Sequence, residues 1–335
     1  MADPLTSILM PVRNAAPFLE DCLQSILIQS EQNWELLAVN DHSTDQSLDI
    51  LEKKARSDAR IRVLNNDGKG IIAALRKAYH HSNGILITRM DADDLMVPDK
   101  IKYLKQQLTA YGPGYLSTGQ VHYFSETQLG NGYFKYQNWL NKLTAGGTNF
   151  REIYRECVIP SPCWMVHRKD LDNCGAFQSA IYPEDYDLCF RFYQSKLKVL
   201  PSGRILHQWR DHTGRTSRNH EHYADNRFLE LKLHYFLQLD YQQTKSLVLW
   251  GAGKKGKWIA RQLLKDEIPF LWICNNEKKI GKQIYGQTLL PLDFNTRGLD
   301  NQFIVTVAGD RQQLEIKNYF LQEKLLPGED YFFFC

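Results

Sequence analysis

Ile85-Leu86-Ile87-Thr88-Arg89-Met90-Asp91-Ala92-Asp93-Asp94 is the stretch on which the reading of this 335-residue chain turns. A short apolar run stops at three carboxylates, and Pro98 with an amphipathic segment near 97–108 follows. Such a run is a buried strand that ends at a sheet edge and delivers acids into a crevice. Carboxylates crowded this closely repel one another and are not all ionised at neutral pH without a cation. Hard oxygen donors on a short turn suit Mg²⁺ or Mn²⁺, which keep positions open for substrate phosphates. The competing reading is a solvated acidic turn in which Asp94 or a nearby acid caps the following helix.

Working outward, three more strand–helix units precede this one. Ser7–Met10 reads as a strand closed by Pro11, leading through Arg13-Asn14 into a helix near 16–29. Trp34–Val39 is a second strand, ending in Asn40-Asp41-His42-Ser43-Thr44-Asp45 before a helix that runs to about Arg56. Arg60–Leu64 is a third, turning through Asn65-Asn66-Asp67-Gly68-Lys69-Gly70 into a helix over 71–81. Strand–helix alternation at this spacing predicts an α/β fold, with a mainly parallel sheet and helices on both faces. Ligands of such sheets bind beyond the strands' C-terminal ends, where Asp41 and Asp91–Asp94 fall.

Composition sets bounds. With 43% hydrophobic and 24% charged residues the chain is ordinary globular material, and a net charge of +3 does not name a nucleic-acid partner. Seven scattered cysteines without a Cys-x-x-Cys pair point to reduced thiols in a cytoplasm rather than a disulfide framework or zinc site. Residues 1–4 show no secretion signal, and no apolar run approaches a transmembrane segment.

Beyond Gly112-Pro113-Gly114 the pattern turns irregular. Tyr133, Phe134, Tyr136 and Trp139 are spaced for a helix core, with stacking on a sugar or base as the alternative, and a helix is expected near 150–156. Tyr182-Pro183-Glu184-Asp185 then opens a helix whose apolar stripe is Tyr186, Cys189, Phe190 and Tyr193. At a helix start the backbone dipole favours an ionised carboxylate, the state a general base needs. Gln208–Ser217 is basic: Arg210, Arg215 and, just beyond, Arg218 are shaped for phosphate oxygens, the alternative being a solvated loop. His220-Glu221-His222 has metal-like spacing but reads as the start of a linking helix, 224–239.

The last third opens with Leu247-Val248-Leu249-Trp250-Gly251-Ala252-Gly253-Lys254-Lys255-Gly256, a Gly-x-Gly-x-x-Gly turn between a strand and a helix. The next strand, Phe270–Cys274, ends in Asn275-Asn276 where a dinucleotide domain wants an acid for the ribose. No NAD is expected, and the glycines are assigned to tight helix–strand packing. The organisation expected is 1–223, the first α/β domain; 224–245, a linking helix; and 246–335, a Rossmann-like domain.

Pro11-x-x-Asn14, Ser25-x-x-x-Gln29, Asn40-Asp41-x-Ser43-x-Asp45 and Asp91-Ala92-Asp93-Asp94, in this order over about 90 residues, resemble the family 2 glycosyltransferases of GT-A fold. The resemblance implies a donor-nucleotide site of Pro11, Arg13, Asn14, Asp41, Arg89, Asp91 and Asp93, with Asp41 at the base and Asp91 at the ribose. Arg89 would touch the nucleotide or pair with a carboxylate. Asp93 and His212 would hold Mn²⁺ or Mg²⁺ on the diphosphate, and Asp185 would be the catalytic base with Glu184 beside it. Trp209, Arg210, Arg215 and Ser217 would complete a diphosphate and acceptor loop. Leu75-Arg76 departs from the family, which tends to carry an Asn there.

A narrower resemblance rests on Lys135-Tyr136-x-x-Trp139-Leu140-Asn141-Lys142-Leu143-Thr144, Pro162-x-Trp164, Pro183-Glu184-Asp185, Trp250-Gly251-Ala252-Gly253-Lys254-x-Gly256 and Glu329–Phe334. These are similar to the β-1,3-N-acetylglucosaminyltransferase-like, tRNA-queuosine galactosyltransferase family. They imply a UDP-hexose donor, galactose first, and tRNA as acceptor. Arg89 and the basic loop after Trp209 instead look like bacterial surface-glycan enzymes, the alternative acceptor class. An NAD-dependent oxidoreductase and a non-catalytic binding module are the rivals from other classes; the missing acid at Asn275 and the complete set of acids argue against them.

Overall fold

The computed structural model describes residues 3–125, 130–214, 227–292 and 300–335. By contacts the chain divides into two units, Met1–Asn149 with Val158–Arg218, and Phe150–Cys157 with Asn219–Cys335.

The first unit is built on a seven-stranded sheet. Its strands are β1 (Thr6–Val12), β2 (Trp34–Asn40), β3 (Ile61–Asn65), β4 (Leu86–Arg89), β6 (Tyr115–Thr118), β8 (Trp164–His167) and β9 (Lys198–Leu200). Two short strands, β5 (Leu95–Met96) and β7 (Gln120–Phe124), lie outside it. The order is β3-β2-β1-β4-β8-β6-β9, parallel throughout except for β8, which runs against both its neighbours. β1 is buried at every position but Pro11, including Thr6 and Ser7, because β2 and β4 flank it.

Pro11 lies inside β1 rather than closing it. Pairing with β4 stops at Leu9↔Arg89, so opposite Pro11 only β2 remains, and a residue without an N–H is tolerated there. That early end of β4 opens the crevice: β1 and β2 run on past it while the chain turns away at Asp91.

The helices α1 (Ala16–Leu27), α2 (Ser47–Ser57), α3 (Ile71–His80), α4 (Lys100–Tyr111) and α5 (Asn131–Gly146) follow. α6 (Arg168–Asn173) and α7 (Glu184–Gln194) complete the set in this unit. α4 starts later than the sequence predicts, because Leu95–Met96 is taken by a second, three-stranded sheet. There β10 (Ile205–Arg210) pairs antiparallel with β5 and parallel with β7. Val97 continues that link, donating its N–H to the Leu206 carbonyl. The helix expected near 150–156 is one 3₁₀ turn, Asn149–Glu152. Of the aromatic cluster, Tyr133, Tyr136 and Trp139 pack on the core beside Tyr123 and Trp209, whereas Phe134 is 43% exposed.

The second unit holds α8 (Arg227–Leu239), β11 (Ser246–Trp250), α9 (Lys254–Lys265), β12 (Leu271–Ile273) and a small hairpin of β13 (Gln283–Ile284) and β14 (Gln287–Thr288). β15 (Asn301–Val305), α10 (Asp310–Gln322) and β16 (Tyr331–Phe333) complete it. Its four main strands form a parallel sheet in the order β12-β11-β15-β16. Gly251 has φ +124°, and a Cβ on Gly256 would sit 2.1 Å from the Gly251 carbonyl oxygen, so both positions require glycine for close helix–strand approach. A Cβ on Gly253 would meet nothing within 4 Å.

All seven cysteines are free thiols. Among the described residues no helix is long and apolar enough to cross a membrane.

Candidate active site

The ends of β1, β2 and β4 form one rim. At β1 the chain turns through Asn14, whose φ of +49° falls in the left-handed region that asparagine tolerates better than most residues. Its Oδ1 accepts from the Thr44 N–H at 2.8 Å, and its N–H donates to Ser43 Oγ at 3.1 Å. The Ala16 N–H donates to Asp45 Oδ2 at 3.0 Å. The Asn14 and Ser43–Asp45 motifs thus latch the β1 and β2 loops together.

Asp41, at the end of β2, is buried. It accepts from Asn66 Nδ2 at 2.7 Å and from the Gly70 N–H with both oxygens at 3.0 Å, while Arg13 lies 3.9 Å away and exposed. The carboxylate expected at the nucleobase therefore also fixes the turn into α3.

The three acids after β4 separate. Asp91 is partly exposed, and its Oδ1 accepts from Arg89 Nε at 3.0 Å, with Nη2 of the same guanidinium 2.9 Å away in an ion pair. Asp93 is 26% exposed, and its Oδ2 lies 2.9 Å from Nε2 of His212, which stacks on Phe18 with ring centroids 4.4 Å apart. Asp94 does not cap the following helix. It is 1% exposed and turns inward, with Oδ1 accepting the Arg210 N–H at 2.8 Å and Oδ2 meeting His207 Nε2 at 3.0 Å. His207 Nδ1 in turn lies 3.2 Å from the buried Lys100 Nζ, which donates to the Pro162 carbonyl at 2.5 Å.

This chain was not visible in the sequence. Neither Lys100, between Asp99 and Ile101, nor His207, between Leu206 and Gln208, stands out from its neighbours. Burial lowers the Lys100 pKa, against the pull of the surrounding thiols and acids.

Arg210, expected at the departing diphosphate, is 7% exposed and committed elsewhere. Its Nε donates to the Asp93 carbonyl at 2.9 Å, its Nη2 meets Asp21 at 3.3 Å, and its guanidinium lies over the rings of Phe18 and Phe124. Trp209 is likewise buried, stacked on Tyr123 at 5.0 Å. Both act on the site by holding its frame. Arg215, Ser217 and Arg218, with His220 and His222, lie outside the described residues.

The second acidic cluster starts α7, with Pro183 as the residue before its first turn. Arg89 joins it to the first. This arginine is 5% exposed, and while its Nε and Nη2 hold Asp91, its Nη1 holds Glu184 Oε1 at 2.9 Å, 95 residues along the chain. Acids far apart in sequence therefore meet across one guanidinium.

Asp185 departs from the expectation that the helix start keeps it ionised. Burial and the adjacent Glu184 push its pKa up to about 7, outweighing the pull of Arg89 and the Tyr186 N–H, which its Oδ1 accepts at 2.8 Å. A carboxylate that titrates near neutrality is matched to taking a proton from a hydroxyl. Arg76, where the family tends to have an Asn, donates to the carbonyls of Phe177 and Gln178 at 3.1 Å each and so steadies the segment leading to Glu184.

The donor set for a cation can be tested on Asp93 and His212. Two ligands about 2.1 Å from one ion and at right angles to each other stand roughly 3.0 Å apart. The observed separation is 2.9 Å. A carboxylate with an imidazole suits Mn²⁺, and Mg²⁺ less closely. Among the described residues no group of three or more His, Cys, Asp or Glu side chains is arranged to hold a metal. At 2.9 Å the two side chains stand at hydrogen-bond distance, and with no third such ligand among the described residues they form no complete metal centre by themselves.

Comparison with known proteins bears on the family and the fold. The Glycosyl transferase family 2 model matches residues 7–175, just over half of the chain. The glycosyltransferase GlyA of Streptococcus pneumoniae is 25% identical over 230 residues, 65% of this chain and 32% of that protein. The chondroitin synthase of Pasteurella multocida is 32% identical over 99 residues, 30% of this chain and 10% of that protein. The chain thus spans about a third of GlyA and less of the synthase. Among solved structures, residues 1–349 of S. aureus TarS in complex with UDP-GlcNAc superpose with a TM-score of 0.55 at 19% identity, over 71% of this chain and 68% of that one. That likeness shows the GT-A-like fold: an α/β unit on a mainly parallel central sheet. Fold, rim and sequence match agree, and the chain belongs to the family 2 glycosyltransferases.

Proposed function

We propose that this chain is an inverting, cation-dependent hexosyltransferase that moves a sugar from a UDP-sugar to a hydroxyl of a bacterial surface glycan. The observation that carries the reading is the clasp of Arg89 on Asp91 and Glu184, which puts the donor acids and the candidate base at one edge. The glycan acceptor is supported by the name of the chondroitin synthase relative, and the uridine donor by the UDP-GlcNAc bound to TarS.

In this reading Asp41 and Asp91 meet the base and the ribose, with Pro11, Arg13 and Asn14 shaping the pocket. Asp93 and His212 would hold Mn²⁺ or Mg²⁺, which when bound offsets the charge on the diphosphate as it leaves. Asp185 accepts the proton of the acceptor hydroxyl. The freed oxygen bonds to the anomeric carbon as the bond from that carbon to the diphosphate oxygen breaks, and the electron pair leaves with UDP. One displacement inverts the anomeric centre.

We read the second unit as a Rossmann-like domain that does not bind NAD. Two of its glycines are occupied by helix–strand contact, and Asn275 Oδ1 accepts from Trp250 Nε1 at 2.9 Å where a ribose-binding acid would sit. The domain limits 1–223, 224–245 and 246–335 and a cytoplasmic location belong to the same proposal.

The test is UDP release across UDP-galactose, UDP-glucose and UDP-N-acetylglucosamine, with Mn²⁺ and either glycan oligosaccharides or queuosine-bearing tRNA as acceptor. Turnover that needs a glycan acceptor supports the reading. Turnover only with tRNA would move the acceptor to the queuosine class, and no UDP release with any donor would refute it.

A further inference from the structure

The nitrogens of Arg89 are divided between two carboxylates that have different tasks. Nε and Nη2 go to Asp91 and Nη1 goes to Glu184, beside Asp185, and the side chain is buried. Asp93 and His212 make no part of this clasp; they face each other. With Nε on Asp91, Nη1 on Glu184 and its side chain buried, this guanidinium is engaged as an ion-pair bridge between the two acids.

We propose that Arg89 is a positioning residue that couples the two halves of the site, passing occupancy of the donor side at Asp91 to Glu184 and Asp185 on the acceptor side. The coupling rests on Asp91 being the ribose acid. Ribose hydroxyls donating to Asp91 compete for the oxygen that Arg89 now holds with one hydrogen bond and one ion-pair contact. The guanidinium is then released toward Glu184 and Asp185. The acids and cation that bear on Asp185 are Glu184, Asp91 and Arg89, the first two raising its titration point and the last lowering it. A guanidinium turned further toward Asp185 favours the ionised base, so the base is readied when the donor is seated.

The whole chain, carrying γ-¹³C-labelled aspartate, reports this by NMR, with Asp185→Asn assigning the Asp185 resonance. In the wild type, UDP with Mg²⁺, diamagnetic and so compatible with the measurement, is expected to lower the pH at which Asp185 titrates by roughly one pH unit, the size a nearby opposite charge produces. In Arg89→Gln the ligand-free titration moves up and the response to UDP with Mg²⁺ disappears. In Glu184→Gln, which keeps Arg89, the titration moves down and the response remains; this variant carries the test if Arg89→Gln does not fold. An unchanged response to UDP in Arg89→Gln, or none in Glu184→Gln, would overturn the proposal. Catalysis is read separately: if Asp185→Asn turns over, the base assignment has failed whatever Arg89 does.

Discussion

At the scale of single residues the site is a balance of desolvation against a few charges. Asp185 is the clearest case, because burial raises its pKa to about 7 from an ordinary value near 3.8. The sign of the stability linkage follows. A carboxyl whose folded pKa is raised supports folding fully below the unfolded value, and that support is lost as pH rises through the folded value, here between about 4 and 7. Asp185→Asn is therefore expected to melt above the wild type at pH 8 and level with it below pH 4, a difference of a few kcal/mol at most. Melting curves at the two pH values check this. At the cation pair, Asp93→Ala or His212→Ala is expected to weaken Mn²⁺-dependent UDP binding by about tenfold or more, and calorimetric titration with and without EDTA measures it. Sequence marked these residues because acids at strand ends and helix starts stand out. Arg89 was left between nucleotide contact and ion pair, since its second partner is 95 residues away.

At the scale of elements, β10 and α4 matter through what they bury. Lys100 begins α4, His207 is central in β10, and Asp94 lies between β4 and β5; together they form a dry chain ending at the backbone of Arg210. Removing one member leaves charge or dipole without a partner. Lys100→Ala is expected to cost about 3–5 kcal/mol, read as a lower urea midpoint with unchanged slope. None of this was legible, because a lone histidine carries no address for its partner. The same limit hid the direction of β8, though not the strand itself: a buried apolar strand reads alike whether it runs parallel or antiparallel. The first four strands were legible because alternating apolar runs and turn residues recur at constant spacing.

At the scale of the molecule, two units each carry a parallel sheet, and only the first holds the acids of the proposed site. In the second, Gly256→Ala would drive a Cβ into the Gly251 carbonyl. It is expected to lower the melting temperature, while NADH fluorescence on mixing with the wild-type chain stays unenhanced; an enhancement would restore the dinucleotide reading. The decisive measurement sets turnover beside donor binding in Asp185→Asn. The account predicts UDP and Mn²⁺ binding weakened by no more than about tenfold, the reciprocal of the one-unit titration shift, with transfer reduced on the order of 10²- to 10⁴-fold, the contribution of a positioned base. Transfer at the wild-type rate in that variant would contradict it.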